Sequence, residues 1–302
     1  MIGQTTASIL IFFPHEPFSV SRVDSEFASE YEAAKTVGFT TGFYDHDVLE
    51  QGDLKTALKP LPFSENKQRL ILRGWMIPGE IYTSLFEALQ SKGYKPETTP
   101  EAYEEAHYIP HSYPHTKEQT SRCSWIYGDN VNAAWELYSE FSNSNAIIKD
   151  WVKSAKSRWN DGCFIPANTN EKRFREIYKV FREERGNLFN RGIVLREFMP
   201  IIEHGKDMRG MPIVEETRLF FWNGSLIVPP KPSDPSPLDN CNQWEQIARK
   251  FKSPFITIDV AYLTDGTWKI VEVGDGGVSG LPLDLTPDRF YKCLWEHTNN
   301  QV

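Results

Sequence analysis

The sequence predicts an α/β fold followed by a second, more antiparallel α+β region, and three observations support this prediction. The first third of the chain alternates short apolar strands with amphipathic helices, the usual pattern of an open α/β sheet. Near the C-terminus, Asn223-Gly224 and Asp265-Gly266 each join two apolar runs, and both dipeptides favour hairpin turns. The 302 residues also suffice for two domains, at roughly 150 residues per domain.

Composition excludes several classes of protein. The formal net charge of -8 provides no general attraction to nucleic acid or to an anionic membrane. The apolar run at residues 9–13 is far shorter than the ~18 residues that a membrane span needs. The cysteines are widely spaced and form no metal-binding or disulfide pattern, so we expect reduced thiols in a cytoplasmic protein: Cys123, Cys163, Cys241 and Cys293.

The first domain is predicted at residues 1–118. A strand at 7–13 ends at Pro14, and a helix begins at Asp24 and ends at Gly38. Strands at 39–44 and 69–72 and a helix at 78–93 follow. Residues 96–125, rich in Pro, His and Tyr, are expected to be an irregular segment.

The second domain is predicted at residues 119–302. It begins with a helix capped near Asp129 and a strand at 146–153. A helix capped by Thr169 or Asn170 then ends at Gly186. The remaining predicted elements are a strand at 192–199, a hairpin of 217–222 with 225–228, a Pro-rich loop at 228–235, and a hairpin of 256–263 with 268–273.

The second predicted hairpin would bring two negatively charged side chains together. A two-residue turn at Asp265-Gly266 would place Asp259 opposite Glu272, with apolar residues on both faces of the strands. Opposed carboxylates repel, and a Mg²⁺ ion would compensate them, with Asp275 as a third oxygen ligand. The alternatives are an ion pair with a nearby Arg or Lys, or a slipped register that turns one acid to solvent.

The basic residues that could bind an anion are a cluster of lysines and two single arginines in predicted strands. In the strand at 146–153, a period of two puts Lys149 and Lys153 on one face, and Lys156 follows in a loop. Such a cluster suits a triphosphate, although a solvated basic loop is the alternative. Arg218, in an aromatic strand, should meet either an anion or a neighbouring glutamate. Arg73, at the end of a sheet strand, occupies a position typical of ligand binding or of a plain ion pair.

Taken in order, these segments resemble the ATP-grasp superfamily. The resemblance rests on the lysine strand at 148–150, the strand at 194–199, Glu216-Thr217-Arg218, and Asp259 with Val271-Glu272-Val273. Arg73-Gly74-Trp75-Met76 and residues 100–113 are similar to the R-two-K clade of bacterial and phage ATP-grasp proteins. The resemblance covers about residues 69–282 and implies an ATP-grasp fold preceded by a Rossmann-like lobe.

The resemblance also implies roles for individual residues in binding ATP and Mg²⁺. This sequence departs from the family's usual Glu-x-Asn, because it reads Glu272-Val273-Gly274-Asp275, which leaves the second metal ligand open. By resemblance, Lys149 with Lys153 or Lys156 contacts phosphates, and Arg218 faces the γ-phosphate or acyl phosphate. Glu197, Phe198 and Met199 form a hinge that binds adenine, and Glu203 reaches the ribose. Asp259, Glu272 and Asp275 hold Mg²⁺.

The activity that the resemblance implies is ATP-dependent ligation of a small-molecule or peptide carboxylate to an amine, through an acyl phosphate, with release of ADP and phosphate. In this interpretation Arg73 grips the substrate carboxylate. A second interpretation is an ATP-binding assembly protein that acts on a protein partner without turnover. The same fold is similar to that of the eukaryotic cell-division-cycle protein that assembles a translation initiation factor. A phosphotransferase that stops at a phosphorylated product is a third.

Overall fold

The computed structural model describes residues 9–299 as a mixed α/β fold. Contacts between Cα atoms divide the chain into two compact units built from non-contiguous segments. Among the described residues, unit 1 holds 9–106, 218–258 and 273–299, and unit 2 holds 107–217 and 259–272. The predicted division into 1–118 and 119–302 stays a prediction. No helix within residues 9–299 is long and apolar enough to cross a membrane.

A mostly parallel sheet forms the centre of unit 1. Strand β1 (Leu10–Glu16) lies between β3 (Thr40–Tyr44) and β4 (Gln68–Leu72) and is parallel to both. Strand β5 (Tyr94–Pro96) extends the sheet beside β4, and β2 (Ser19–Val23) folds back antiparallel on β1. The helices that begin in this part of the chain are α1 (Ala28–Val37), α2 (His46–Glu50), α3 (Leu54–Ala57), α4 (Gly79–Ser91) and α5 (Pro100–His107).

The predicted elements of this sheet are largely confirmed, with one correction at the first strand. Asp24 caps the turn that leads into α1, and α1 ends at Gly38. Pro14, however, does not end β1, because it pairs with Tyr44 and its carbonyl accepts a hydrogen bond from Asp24 N at 2.9 Å. Ala7, in the part of the predicted strand before Ile9, lies outside the described residues.

The segment at 96–125 is not irregular, so that prediction was wrong. It contains α5, then α6 (Ile109–Thr116) and β6 (Cys123–Tyr127). Pro100 is the first residue of α5, and Pro110 lies in the first turn of α6. A proline there costs no intrahelical hydrogen bond, so these prolines start helices instead of breaking them.

Unit 2 contains an antiparallel sheet with helices packed on it. Its strands are β6, β7 (Ala146–Asp150), β8 (Phe164–Ile165) and β9 (Gly192–Glu197), in the order β6-β9-β7-β8. Helices α7 (Val131–Tyr138) and α8 (Glu171–Arg185) begin at the caps Asn130 and Asn170, and their apolar faces join one core with this sheet. A separate hairpin consists of β10 (Glu203–Lys206) and β11 (Pro212–Val214).

The C-terminal part of the chain supplies a four-stranded sheet. Its strands are β12 (Glu216–Trp222), β13 (Ser225–Leu226), β14 (Phe255–Tyr262) and β15 (Trp268–Asp275), in the order β13-β12-β14-β15. The boundaries of the two units fall within β12, β14 and β15. Helix α9 (Cys241–Ala248) precedes β14, and α10 (Pro287–Asn299) packs on α1 in unit 1.

The two predicted hairpin turns had different outcomes. Asn223 and Gly224 have φ of 48° and 77°, and Trp222 pairs with Ser225, which confirms the two-residue turn. The second turn is a three-residue loop, since Gly266 N donates to Leu263 O at 3.1 Å and Leu263 N donates to Thr267 O at 2.8 Å.

The second turn differs because the side chain of Asp265 accepts hydrogen bonds from Thr267. Its Oδ1 accepts hydrogen bonds from Thr267 N at 3.0 Å and Thr267 Oγ1 at 2.7 Å. Only Gly266 of this loop has a positive φ, 82°, whereas a type I′ turn needs two such residues. The register next to the turn is therefore shifted by one residue, and the turn no longer supports a direct pairing of Asp259 with Glu272.

Candidate functional site

A cavity within unit 2 contains most of the predicted nucleotide-binding residues. It encloses about 830 Å³ of space, part of it open to solvent. Its charged lining comes from β7, β9, β10, β12, β15 and the loop after β7. Its apolar lining comes mainly from β11 and the segment between β9 and β10. The lining residues that matter below are Lys149, Lys156, Trp159, Arg196, Glu197, Phe198, Met199, Glu203, Met211, Glu216 and Glu272.

Lys153 reaches this region by a turn and not by strand periodicity. Strand β7 ends at Asp150, whose Oδ1 accepts hydrogen bonds from Val152 N at 2.7 Å and Lys153 N at 2.6 Å. Its Oδ2 accepts a hydrogen bond from Arg185 Nε at 2.8 Å. The predicted strand through residue 153 was therefore wrong, yet Lys153 Nζ lies 3.8 Å from Glu272 Oε1.

The lysines and Glu272 alter each other's protonation. Burial lowers the pKa of Lys149, and this effect, strengthened by Arg196, Lys156 and Lys153, exceeds the opposite effect of Glu272. Desolvation alone would raise the pKa of Glu272, but the positive charges of Lys149, Lys153, Lys156 and Arg196 outweigh it and lower that pKa. The site therefore favours an ionised carboxylate beside an ammonium group that is poorly solvated and needs an anion.

A second carboxylate of the cavity, Glu216, interacts electrostatically with Glu272 and Lys156. Desolvation raises its pKa against the opposing effect of Lys156, and the negative charges of Asp259 and Glu272 raise it further. From the sequence, Glu216 was expected only as a possible ion-pair partner of Arg218 and as part of the motif Glu216-Thr217-Arg218, and not as a ligand. Within residues 9–299, no group of three or more His, Cys, Asp or Glu side chains is already arranged to hold a metal ion.

Arg196 lines the same cavity and is not among the residues predicted from the sequence. Its side chain is buried and donates hydrogen bonds to Ser121 Oγ at 2.9 Å, Thr120 Oγ1 at 2.6 Å, Ile270 O at 3.0 Å and Val271 O at 2.5 Å. It thus ties β9 to the segment of β15 that carries Glu272. A charged residue in an apolar strand was the available signal, the same signal that singled out Arg218.

The backbone of the predicted hinge at 197–199 already makes two hydrogen bonds within the protein. Glu197 N donates to Arg122 O at 2.9 Å, and Phe198 N donates to Asn145 O at 2.8 Å. The Phe198 ring contacts Phe164 edge-on, with centroids 5.4 Å apart. Adenine binding by these residues stays a prediction.

Three predicted residues lie in unit 1. Arg218, on β12, donates from Nη1 to Gly280 O at 3.1 Å. Asp275 accepts hydrogen bonds from Thr98 Oγ1 at 3.0 Å and Gly277 N at 2.8 Å, and burial raises its pKa to about 6 despite these contacts. The Arg73 guanidinium is 2% exposed and pairs with Glu30, as in the ion-pair alternative. Their roles in ATP, metal or substrate binding stay predictions.

Comparison with known proteins agrees with this architecture. The fold is similar to that of a RimK domain ATP-grasp protein from Sphaerobacter thermophilus DSM 20745, at 14% identity and a TM-score of 0.60 over 96% of this chain and 99% of that chain. It is also similar to D-cycloserine synthetase DcsG, at 14% identity, a TM-score of 0.58 and the same coverages.

A third similar structure is ATP-grasp ligase PsnB complexed with a phosphomimetic variant of its minimal precursor, Mg and ADP. It shares 11% identity and a TM-score of 0.54, over 97% of this chain and 99% of that chain. At these identities the similarity shows a common fold, the ATP-grasp fold predicted from the sequence. No curated protein sequence matches the chain.

The family follows from the sequence itself. The profile of the ATP-grasp domain, R-two-K clade family 3, matches residues 136–294, more than half of the chain. The chain therefore belongs to the ATP-grasp family, in its R-two-K clade. The predicted resemblance is confirmed.

Proposed function

We propose that this protein is an ATP-dependent ligase that joins a carboxylate to an amine through an acyl phosphate. The observation that carries the proposal is the combination of buried Lys149 with Glu272 in one cavity of unit 2. A buried ammonium with a lowered pKa needs an anion, and an ionised carboxylate needs a cation. MgATP would supply both.

The residues present fit MgATP. Lys149 and Lys156 line the cavity and would neutralise phosphate oxygens, with Lys153 at its edge. Oxygen ligands suit Mg²⁺, and Glu272 and Glu216 line the same cavity while Asp259 acts electrostatically on Glu216. When bound, Mg²⁺ would neutralise the charge that develops on the transferred phosphoryl group.

The proposed reaction needs no protein nucleophile. A carboxylate oxygen of the substrate attacks the γ-phosphorus of ATP, the bond to the bridging oxygen breaks, and ADP leaves. The amine nitrogen then attacks the acyl carbon, loses a proton, and phosphate leaves with one of the original carboxylate oxygens. Positioning and charge neutralisation are the main demands of such chemistry, which agrees with a site of lysines, arginines and acids.

The identities of the acid and the amine are open to a direct screen. DcsG, whose name describes a D-cycloserine synthetase, and PsnB, complexed with a minimal precursor, have similar folds. We therefore propose small-molecule and peptide carboxylates as the first pool. The purified chain is incubated with MgATP, amines, and carboxylates labelled with ¹⁸O on both oxygens.

The expected result is ADP release that requires both substrates, with one ¹⁸O atom transferred to each phosphate formed. Label in AMP would indicate adenylation and would contradict the acyl phosphate. Phosphate release with no label transfer would show simple ATP hydrolysis. Mg²⁺-dependent ATP binding without turnover across the pool would favour the alternative of an assembly protein that acts on a protein partner.

A further inference from the structure

Residues 150–157, here called the lysine loop, contact the last turn of α8 at both ends. At the start of the loop, Arg185 Nε donates to Asp150 Oδ2 at 2.8 Å. At its end, Ser157 Oγ donates to the carboxylate of Glu184, the residue before Arg185. Two consecutive residues of one helix, both within unit 2, therefore hold the loop.

The Asp150 carboxylate is the buried centre of the first contact. Its side chain is 0% exposed, and the side chain of Arg185 is 15% exposed. Whereas Oδ2 faces Arg185, Oδ1 accepts hydrogen bonds from Val152 N at 2.7 Å and Lys153 N at 2.6 Å. Asp150 N also donates to Lys153 O at 2.8 Å, so the chain turns sharply after β7. One carboxylate thus connects α8 to the turn by charge-assisted hydrogen bonds.

The turn brings the lysine loop back onto its own strand. Ser154 pairs antiparallel with Lys149, and both residues line the cavity together with Lys156. Lys153 Nζ lies 3.8 Å from Glu272 Oε1, and the charges of Lys149 and Lys156 act on the same carboxylate. The conformation of the loop therefore determines where Lys153 and Lys156 lie relative to buried Lys149.

The three ammonium groups repel one another. Besides burial, the charges of Lys153 and Lys156 disfavour the protonated form of Lys149. Holding like charges together costs free energy, which the contacts with α8 offset in the folded chain before any anion binds. A cluster fixed in this way binds a polyanion more tightly than a mobile one, because less conformational freedom is lost on binding.

We propose that Arg185 and Glu184 are positioning residues that act through Asp150 and Ser157 and preorganise the lysine loop for the phosphate chain of a nucleotide. The proposal rests on the proposed function, in which the lysines bind the phosphates of ATP. It concerns the phosphate chain and is independent of the base.

The first test separates phosphate binding from base binding. Calorimetry on the full chain gives the dissociation constants of inorganic tripolyphosphate and of adenosine. Arg185→Met should weaken tripolyphosphate binding by about tenfold and leave adenosine binding within about twofold of wild type. Arg185→Lys keeps a cation beside Asp150 and should bind tripolyphosphate within about threefold of wild type. An equal loss for both ligands in Arg185→Met would overturn the positioning role.

The second anchor provides a variant that leaves the buried pair intact. Ser157 is exposed, so Ser157→Ala should remain folded, and tripolyphosphate binding should weaken by about two- to threefold. Ser157→Thr keeps the hydroxyl and should restore the wild-type affinity. Wild-type affinity in Ser157→Ala would remove Glu184 from the proposal.

Each test variant has a matched control in unit 2. Arg182 Nε donates to Asp129 Oδ2 at 2.8 Å, one turn earlier on α8, and Ser124 Oγ donates to Glu140 Oε2 at 2.6 Å. Arg182→Met and Ser124→Ala break contacts of the same kind that join other segments, and they should leave tripolyphosphate affinity unchanged. Losses as large as those of the test variants would show a general effect on folding and overturn the proposal.

A measurement without any ligand tests the anchoring itself. The amides of Val152 and Lys153 donate to Asp150, and their hydrogen exchange should accelerate by about tenfold in Arg185→Met but not in Arg182→Met. Unchanged exchange of both amides in Arg185→Met would overturn the positioning role even if the chain is a ligase. A wild-type chain that binds neither tripolyphosphate nor MgATP would instead overturn the proposed function, and the positioning role with it.

Discussion

Lys153 Nζ lies 3.8 Å from Glu272 Oε1, and the positive charge of buried Lys149 also stabilises the ionised form of this carboxylate. Glu272 is therefore favoured in its ionised form, and the two lysines compensate part of its charge. Its pKa is lowered in the folded chain, so this contribution to the free energy of unfolding is present above the unfolded pKa of about 4.3. It is lost as the pH falls through the folded value.

Glu272→Gln should separate metal binding from stability. Because 39% of the side chain is exposed, we expect the free energy of unfolding to fall by only about 1 kcal/mol. Saturating MgATP, at about 100 times its dissociation constant, should stabilise wild type by about 2.7 kcal/mol, and the variant should lose the Mg²⁺-dependent part. Thermal melting with ATP, with and without Mg²⁺, measures this. Glu215→Gln, at a side chain 80% exposed, is the control, and an equal shift in both variants would remove Glu272 from the metal site.

Lys149→Met should weaken nucleotide binding more than stability. Methionine removes an ammonium group whose burial is unfavourable, so the free energy of unfolding at pH 7 should stay within about 1 kcal/mol of wild type. The dissociation constant for MgATP should rise at least about tenfold. Urea titration and calorimetry give the two values. Lys179→Met, on the exposed face of α8, should change neither, and normal ATP affinity in Lys149→Met would contradict the phosphate role.

Arg196→Met should be strongly destabilising. The variant removes the buried donor of Val271 O and of the hydroxyls of Thr120 and Ser121, whereas Ile270 O keeps its hydrogen bond from Thr120 Oγ1. We therefore expect a loss of about 2–4 kcal/mol. Urea unfolding measures the loss, and Arg22→Met, at an exposed ion pair on β2, should cost less than about 1 kcal/mol. Similar losses in the two variants would show that Arg196 does not hold β15.

Asp275→Asn should flatten the dependence of stability on pH. The folded pKa of Asp275 is raised to about 6, so the folded chain binds the extra proton, and stability falls as the pH rises from about 4 to 6. Asparagine removes this titration and can keep the acceptor that Gly277 N uses. Urea unfolding from pH 4 to 7 without Mg²⁺ should show wild type losing up to about 3 kcal/mol relative to the variant. Parallel curves would place the pKa of Asp275 near its ordinary value.

Much of the local structure could be predicted because its causes are local. Asp24 and Asn170 accept hydrogen bonds from nearby backbone N–H groups, so helix starts can be recognised from a few residues. Asn223-Gly224 adopts its two-residue turn since both residues tolerate a positive φ. The family could be predicted from the order of four segments: the lysine strand at 148–150, the strand at 194–199, residues 216–218, and the closing acids Asp259 and Glu272.

Two predictions of local structure failed because a polar side chain accepted backbone hydrogen bonds and altered a turn or the end of a strand. Asp265 bonds to Thr267 and converts the expected two-residue turn into a three-residue loop. Asp150 ends its strand early by accepting hydrogen bonds from the next turn. In both cases a short polar side chain competes with the ladder for backbone donors, and periodicity alone does not include that competition.

The sequence by itself determined the ATP-grasp family, the alternation of strands and helices, and the chemical types of the residues proposed to bind MgATP: lysines, arginines and acids. Only the tertiary structure decided which acids Arg73 and Lys149 meet, because Glu30 and Glu272 are distant from them along the chain. It also revealed Glu216 and Arg196 beside the predicted site residues. Burial and charge pairing depend on distance in space, and a pattern of neighbours along the chain contains that information only where strands or helices repeat regularly.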